Sequence, residues 1–393
     1  MNSFVYYTPT KVFFGEDAES HIGEALKSYG ATKVMLHYGG GSIKKNGLYD
    51  RVVAELNKAE IPFVDFGGVE PNPKVELVRE AVKVCREAGV DFILGVGGGS
   101  VSDSAKAISF AVPSALDAWD IIVNNMPPKK PIGMGLVLTI AAAGSEMSNS
   151  CVITNGATNL KRGCNNDQAR PVFAFLNPKN TLTVPAYHTS AGAVDIMMHT
   201  MERYLTSDPD MPLTDSFAEG LLSSTIESGN RLSVNPNDTE ARGEIMWASS
   251  LAHNDITGCG RNRTFTAHKI EHDISGYHDE VTHGAGLAVV FPAWCKYSYK
   301  DGIDRFYKWA VKVWGAGQNE NKEEAILEGI KNMQNCYKNW GMPITMAELG
   351  VKPDEYETIA NLTTSNDSVK LKSFGGKLLG TKEIIEIYKL MEG

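Results

Sequence analysis

Residues 91–110 read DFILGVGGGSVSDSAKAISF, and this stretch decides the fold. Its apolar run predicts a buried strand, the glycines that follow predict a tight turn, and the residues from about Val101 onward predict a helix. A strand, a glycine turn and a helix start together aim backbone N–H groups at a phosphate. Glycine permits positive φ angles and close backbone approach, and Ser100 is expected to cap the helix and donate its hydroxyl. The stretch therefore predicts a phosphate-binding turn, with a plain strand-to-helix turn as the alternative. The residues of this turn are Gly97, Gly98, Gly99 and Ser100.

The stretch differs from the dinucleotide fingerprint Gly-x-Gly-x-x-Gly, because Ser100 replaces the third glycine when counting starts at Gly95. A standard Rossmann domain is therefore only weakly supported. The first half of the chain nevertheless alternates short apolar runs with helical patterns, which is typical of a mostly parallel sheet with crossover helices. Strands are expected at Lys33–Tyr38, Ile61–Phe66, Phe92–Val96 and Leu136–Ile140, and a helix at Val75–Ala88.

Long amphipathic segments replace the β-rich runs from about Pro185 onward. At 393 residues the chain is too long for one core of ordinary size, so two domains with a ligand site in the cleft between them are expected. We expect an α/β domain over residues 1–185 and a largely helical domain over residues 186–393. The predicted helices of the second domain include Ser190–Leu205, Ala241–His253, Ile303–Trp314 and Lys322–Trp340.

Composition narrows the class of protein. The formal net charge is -9 and long Lys/Arg runs are missing, which argues against nucleic acid as a partner. The six cysteines are scattered without a Cys-x-x-Cys pair, which is typical of reduced thiols and predicts neither disulfides nor a cysteine-zinc framework. The N-terminus lacks a secretory pattern and no apolar stretch is long enough to span a membrane, so a cytoplasmic protein is expected.

A second glycine turn, HYGGGSIKKNG at residues 37–47, follows the first predicted strand. An acid between Tyr38 and Ser42 would hold a ribose 2′-hydroxyl, but none is present. Gly40, Gly41 and Ser42 instead leave room for a 2′-phosphate, and Lys44 and Lys45 add positive charge nearby. This pattern favours NADP over NAD.

Histidines and one aspartate form a candidate metal site. In AGAVDIMMHTMERYL, Asp195 and His199 are four apart on a helical segment, so both point to one face and can chelate one ion. Taken alone, a solvated or capping pair is equally plausible. However, four of the nine histidines fall within sixteen residues, which favours a metal centre. Mixed oxygen and imidazole donors suit Fe(II), Zn(II), Mn(II), Co(II) or Ni(II). The four clustered histidines are His268, His272, His278 and His283.

Within that cluster, Gly284 suggests a tight turn that brings His283 back to the same centre. A rival hypothesis uses the same residues, because His268-Lys269-Ile270-Glu271-His272 matches the His-x-x-Glu-His pattern of inverted zinc peptidases. A peptidase has no need of two glycine-rich strand-to-helix turns, so the first half of the chain argues against it.

Taken in order along almost the whole chain, seven motifs resemble the iron-containing, or type III, alcohol dehydrogenase family, and most closely its butanol dehydrogenase branch. They are GGGSIKKNG (39–47), VEPNP (69–73), GVGGGSVSDSAK (95–106), AAGSEMSNSCVITN (142–155), LKRG (160–163), AGAVDIMMHTMERY (191–204) and HGAGLAVVFPAW (283–294). The resemblance implies an α/β N-terminal dinucleotide-binding domain plus an all-α C-terminal domain, a dehydroquinate synthase-like architecture with the active site in the cleft. It also implies a homodimer.

The resemblance further implies roles for individual residues. One divalent metal, often iron with zinc as an alternative, would be held by Asp195, His199, His268 and His283. His272 would lie beside the nicotinamide rather than on the metal. The pyrophosphate and nicotinamide ribose would be lined by Gly97, Gly98, Gly99, Ser100 and Asp103, with Thr139, Ser145 and Lys161 completing the groove.

Three departures from the family pattern stand out. Ala143 replaces the threonine usual before Gly-Ser-Glu, which removes one hydroxyl donor and predicts weaker cofactor binding. His268 and His283 are fifteen apart, one residue more than usual, so His283 is the least secure ligand. NRTFTAH replaces an acidic-Trp-Ala-Thr-His run, so Phe265 and Thr266 are expected to alter the wall near the metal.

The implied activity is hydride transfer between NAD(P)H and a small primary alcohol or aldehyde, with the metal as Lewis acid. The proton at the substrate oxygen would pass through water or His272. Same-fold alternatives are a glycerol dehydrogenase or a dehydroquinate synthase-like lyase, and a non-catalytic nucleotide sensor is a third. A mostly apolar substrate is favoured by four apolar residues, which are Ile196, Met197, Phe265 and Val281.

Overall fold

The computed structural model describes residues 2–158, 160–318 and 321–392. The chain divides into two compact units. The first is Tyr7–Val184, and the second is Pro185–Gly393 together with Met1–Tyr6.

A six-stranded parallel sheet organises the first unit, and its strand order is β1-β8-β5-β4-β2-β3. The strands of this unit are β1 (Lys11–Phe14), β2 (Val34–Gly39), β3 (Phe63–Val69), β4 (Phe92–Gly97), β5 (Gly133–Leu138), β6 (Ser150–Asn155), β7 (Leu160–Asn165) and β8 (Phe173–Leu176). Strands β6 and β7 pair with each other as an antiparallel ribbon. The helices are α1 (Ile22–Tyr29), α2 (Ser42–Lys45), α3 (Leu48–Lys58), α4 (Val75–Ala88), α5 (Gly99–Ala111) and α6 (Ala118–Val123).

Both faces of the sheet are buried, as a parallel sheet requires. Side chains alternate along each strand, so Ile93 packs in one apolar cluster while Phe92 and Leu94 pack in the other. The four predicted strands are confirmed with shifted ends, and the predicted helix is confirmed with the same bounds, Val75–Ala88. The largest shift is in β5, which begins at Gly133 and ends at Leu138, so Thr139 and Ile140 lie in the turn beyond it.

In the described residues between 186 and 389, nine helices build the second unit. They are α7 (Ala186–Tyr204), α8 (Pro212–Val234), α9 (Thr239–His253), α10 (Thr266–Tyr277), α11 (His283–Ser298), α12 (Ile303–Trp314), α13 (Lys322–Asn339), α14 (Tyr356–Thr364) and α15 (Thr381–Lys389). The predicted change to a helical fold is confirmed. The helical unit also holds two two-residue strands, β9 (Leu371–Lys372) and β10 (Leu378–Leu379), which pair antiparallel. In the part of the chain that the structure describes, no helix combines the length and apolar character needed to cross a membrane.

Candidate metal centre and nucleotide-binding turns

Helix α7 carries the first two candidate metal ligands. From Ala191 to Tyr204 every residue of this helix is buried, so its polar side chains face other helices rather than water. Asp195 and His199 are one turn apart, and their Oδ1 and Nε2 atoms are 3.4 Å apart. The i, i+4 spacing therefore places both donors on one face, as the sequence predicts.

Two further imidazoles reach the same carboxylate oxygen. His268 lies in the first turn of α10, and its Nε2 is 3.5 Å from Oδ1 of Asp195. His283 is the first residue of α11, and its Nε2 is 3.8 Å from that oxygen. The structure thus brings together all four residues that the resemblance assigns to the metal, including His283 despite the extra residue before it.

The expected reason for His283's position is wrong, because Gly284 makes no tight turn. It lies inside α11, where a β-carbon would overlap the backbone of Ala191 on α7. Glycine is needed there for close contact between the two helices, and this contact brings His283 toward Asp195.

The atoms at the centre of this cluster lack hydrogen-bond partners. Oδ1 of Asp195 and Nε2 of His268 are both buried and accept or donate no hydrogen bond. Leaving a buried polar atom unpaired costs about 1–3 kcal/mol, and more for a charged one. Burial would raise the pKa of Asp195, but the neighbouring His268 and His283 hold it below its ordinary value, so the carboxylate is charged. One carboxylate oxygen and three imidazole nitrogens fit a divalent metal, which would satisfy the unpaired atoms.

Side chains behind the imidazoles were not identified from the sequence. Glu202 contacts Nδ1 of His268, and Glu271 contacts Nδ1 of His283. Arg203 donates to the backbone oxygen of His199 at 2.7 Å. No spacing rule links these residues to their partners in advance, because each contact except Arg203–His199 joins different helices.

The peptidase hypothesis assigns Glu271 and His272 to the chemistry of a zinc hydrolase. In the structure Glu271 is fully buried against His283. Glu271, His272 and His283 form one group of possible donors, whereas Asp195, His199 and His268 form another. His268 and His272 therefore fall in different groups, whereas the two histidines of a His-x-x-Glu-His site must hold the same zinc ion. His283 still approaches the first group, because its Nε2 is 3.8 Å from Oδ1 of Asp195.

Phe265 forms part of the surroundings of the metal candidates. It precedes α10 with a positive φ of 52° and lies edge-on to His199 and His268, at centroid distances of 5.8 and 5.3 Å. Its ring also lies 4.7 Å from the guanidinium of Arg203. The expectation for Thr266 is wrong, because this residue is fully buried and donates to the backbone oxygen of Lys372 at 2.8 Å.

The remaining apolar residues behave differently from Phe265. Ile196 and Met197 are fully buried in α7, and Val281 is nearly so, whereas Phe265 is partly exposed.

A second ring, that of His253, lies 4.0 Å from the ring of His199. No spacing rule predicts this neighbour, since His253 is distant in the sequence from His199.

The first glycine turn joins β4 to α5. Gly98 is the N-cap and α5 begins at Gly99, so Ser100 lies inside the first turn and is not the predicted cap. A β-carbon at Gly97 would overlap Val101, and one at Gly98 would overlap Ile140, whereas one at Gly99 would point into open space. These glycines are therefore needed for close packing and for free access to the helix N-terminus, and not for positive φ angles. Free access to the helix N-terminus suits a phosphate.

One turn into α5, Asp103 belongs to a buried polar network. The hydroxyl of Ser145 donates to Oδ1 of Asp103 at 3.1 Å, and Nζ of Lys106 donates to Oγ of Ser145 at 2.9 Å. Lys106 also donates to the backbone oxygen of Ser150 at 2.6 Å. Burial raises the pKa of Asp103 to about 6, although the charge of Lys106 acts to lower it. Burial also lowers the pKa of Lys106. The network joins the two predicted residues Asp103 and Ser145 directly, and Lys106, which no sequence pattern pointed to, holds Ser145 from the other side.

The other predicted cofactor residues lie around this turn. Thr139 donates its backbone N–H to the oxygen of Gly97 at 3.0 Å. Lys161 lies on β7, donates to Asn72 at 3.0 Å, and is close enough to Asp103 to lower its pKa.

The second glycine turn joins β2 to the short helix α2. Gly41 is the N-cap of α2 with a φ of 108°, a conformation that favours glycine, and β-carbons at Gly40 and Gly41 would point into open space. Nζ of Lys44 lies 3.7 Å from Oδ2 of Asp65 on the neighbouring strand β3. The turn itself carries no acid, but the adjacent strand brings one close, and only the sheet order shows this.

Comparisons with known proteins agree over the full chain. The family model described as "Iron-containing alcohol dehydrogenase" matches residues 9–178, and the one described as "Fe-containing alcohol dehydrogenase family, C-terminal" matches residues 189–391. NADH-dependent butanol dehydrogenase A of Clostridium acetobutylicum is 39% identical over 99% of each chain. NADPH-dependent aldehyde reductase YqhD of Escherichia coli is 34% identical over 89% of this chain and 90% of its own.

A solved structure agrees as well. NADH-dependent butanol dehydrogenase A from Thermotoga maritima superposes with a TM-score of 0.93 at 37% identity, covering 100% of this chain and 99% of its own. The predicted fold of each unit, a parallel sheet with helices followed by a helical domain, and the family resemblance are confirmed. The chain belongs to the iron-containing alcohol dehydrogenase family.

Proposed function

We propose that the protein is a metal-dependent alcohol dehydrogenase and aldehyde reductase that transfers hydride between NAD(P)H and a small primary alcohol or aldehyde. The observation that carries the proposal is one buried carboxylate oxygen, on Asp195, faced by three imidazole nitrogens and lacking a hydrogen bond. Two glycine turns with open space above them supply a place for the phosphates of a dinucleotide. Relatives named butanol dehydrogenase and aldehyde reductase support the same reaction class and favour it over the peptidase, lyase and sensor alternatives.

We propose Asp195, His199, His268 and His283 as the ligands of one divalent metal. Fe²⁺ is the proposed native ion, since the family is described as iron-containing, and Zn²⁺ is the alternative that the same donors accept. When bound, such a metal supplies a Lewis acid for the substrate oxygen, and a nicotinamide supplies or accepts the hydride.

The chain's own residues would complete the reaction. A half-buried imidazole on α10, that of His272, is proposed to move the proton to or from the substrate oxygen, directly or through water. Phe265 gives the surroundings of the metal an apolar side, which suits a short alkyl chain. Asp103 and Ser145, held by Lys106, would bind the cofactor near its nicotinamide ribose.

For the cofactor, we propose NADP(H) in preference to NAD(H). The turn Gly40–Ser42 has open space and lacks an acid, and the exposed Lys45 adds positive charge. Against this, Asp65 lies beside Lys44 and partly neutralises it, and several relatives are named as NADH-dependent. Since a charge-assisted hydrogen bond contributes about 1.5–3 kcal/mol, NADPH is expected to be favoured about tenfold or more.

The test compares kcat/KM for NADPH and NADH as donors to butanal, with Fe²⁺ or Zn²⁺ added to the purified protein. We expect butanal reduction with both donors and higher kcat/KM with NADPH. Lys45→Ala should reduce the NADPH advantage, while Lys58→Ala, at an exposed lysine paired with Glu55, should leave it unchanged. Equal efficiency with the two donors would remove the NADP preference, and no carbonyl reduction with either metal would remove the proposed function.

We also propose a homodimer that works in the cytoplasm. The six cysteines carry free thiols, the state expected in a reducing compartment. Near the N-terminus, Phe4 and Val5 are 50% and 91% exposed, an apolar surface that a second copy can cover. Light scattering is expected to give about twice the 42.7 kDa of one chain, and Phe4→Ser with Val5→Ser should shift the mass toward the monomer. A single-chain mass at every concentration would contradict the dimer.

A further inference from the structure

We infer that Glu202 and Glu271 are positioning residues that fix the imidazoles of His268 and His283 in the orientation and tautomer needed to bind a metal. This inference rests on the proposed metal site. Neither carboxylate is among the proposed ligands, and each lies behind one ligand, on the side away from Asp195.

Glu202 holds the start of α10 as well as the ring of His268. It is 3% exposed, and its two oxygens accept the backbone N–H groups of Ala267 at 2.8 Å and of His268 at 3.2 Å. The oxygen that accepts from the backbone of His268 also contacts Nδ1 of the same residue. Three contacts from one carboxylate fix both the backbone and the side chain of this ligand.

Glu271 holds the ring of His283 across the α10–α11 packing. It is fully buried, and its Oε2 contacts Nδ1 of His283. The opposite side of its carboxylate lies against Gly286, where a β-carbon would be 2.6 Å from Oε1. The absence of a side chain at Gly286 therefore provides the space that Glu271 occupies.

These contacts select one tautomer of each neutral imidazole. An ionised carboxylate can only accept hydrogen bonds, so the proton must be on Nδ1 and the lone pair on Nε2. Both Nε2 atoms then face Oδ1 of Asp195, at 3.5 and 3.8 Å. With a cation between these atoms, both lone pairs and the carboxylate oxygen point at it. Carboxylates behind ligating imidazoles orient the ring and raise its basicity.

Among the residues that the structure describes, no carboxylate is recorded against Nδ1 of His199. Nη1 of Arg203 donates to its backbone oxygen and lies 3.5 Å from its Nδ1, so a donor rather than an acceptor stands behind this ring. The site is therefore asymmetric, with two imidazoles held by carboxylates and one beside a guanidinium. We expect the two glutamates to contribute to metal affinity in addition to geometry.

The test measures the affinity of the metal-free protein for Zn²⁺ alone by competition with a chromophoric chelator. Glu202→Leu and Glu271→Leu are each expected to weaken Zn²⁺ binding about ten- to a hundredfold. Glu202→Gln and Glu271→Gln should recover part of the loss, because an amide oxygen still accepts from Nδ1–H. The control is Glu219→Gln, since Glu219 bonds the hydroxyl of Tyr204 at 2.7 Å and no imidazole.

Each outcome has a distinct meaning. Wild-type protein that binds no Zn²⁺ would remove the proposed metal site itself. Wild-type protein that binds Zn²⁺, with glutamate variants that bind it equally tightly, would overturn the positioning inference alone. If a leucine variant does not fold, its isosteric glutamine variant decides. The visible spectrum of bound Co²⁺ should also change in the glutamate variants but not in Glu219→Gln, because it reports ligand geometry.

Discussion

Asp195→Ala is expected to abolish stable metal binding and to lower kcat/KM for butanal by about a thousandfold. Oδ1 of Asp195 is the atom that all three imidazole nitrogens face, so its removal takes away the shared negative donor. Lewis-acid stabilisation by a metal supplies several kcal/mol, and about 4 kcal/mol corresponds to a factor of roughly a thousand. Metal content of the purified protein and steady-state kinetics measure the two effects.

The fold should survive this substitution. Oδ1 of Asp195 accepts no hydrogen bond. Removing this atom in the alanine variant therefore deprives no buried donor of its partner. The melting temperature of metal-free protein is expected to change by only a few degrees. Asp210→Ala is the matched control, because Asp210 is an exposed acid beyond the same helix, beside Arg305 and Lys308. An Asp195→Ala protein that retains both metal and full turnover would show that the ligand set is wrong.

Local patterns were enough to predict most of the architecture. Strands β2, β3 and β4 follow apolar runs, and α12 coincides with the predicted Ile303–Trp314. The i, i+4 spacing of Asp195 and His199 is a property of one helix, so the sequence shows it directly. Features carried by a single element are therefore the ones that the sequence predicted well.

Features that depend on packing between elements were missed or explained incorrectly. Gly284 resembles a turn residue in the sequence, yet in the structure it permits contact between α11 and α7. Ser100 resembles a helix cap, yet the helix begins one residue before it, because Gly98 leaves the sheet in an extended conformation. Asp65 is 23 positions after Ser42 and meets Lys44 only through the pairing of β2 with β3. Such contacts have no periodic signature in the chain.

The same limit applies to the carboxylates behind the ligands. Glu202 is three residues after His199, and Glu271 is three after His268, but each contacts a histidine on another helix. In the sequence Glu271 is most easily interpreted as the acid of a peptidase motif. Its burial against His283 changes that interpretation, because a general base must reach water or substrate.

His272→Ala is expected to lower kcat between about a hundredfold and ten-thousandfold, the range that general acid–base catalysis contributes, while the metal is retained. The ring of His272 lies 5.1 Å from that of His283, whose Nε2 is 3.8 Å from Oδ1 of Asp195. We therefore expect His272 to lie beside the four proposed ligands and not to be needed to hold the ion. The pH–rate profile should change shape, because the group proposed to exchange the substrate proton has been removed.

His278→Ala is the matched control for His272→Ala. His278 belongs to the same histidine cluster in the sequence, but its ring nitrogens lie 3.3 Å from Glu280 and 3.3 Å from Glu355. Its removal should leave kcat and metal content near the wild-type values. If His272→Ala instead loses metal in proportion to activity, then His272 is a ligand, and the proton must reach the substrate oxygen through another group. Retained metal with low kcat would separate the residue that moves the proton from the four that hold the ion.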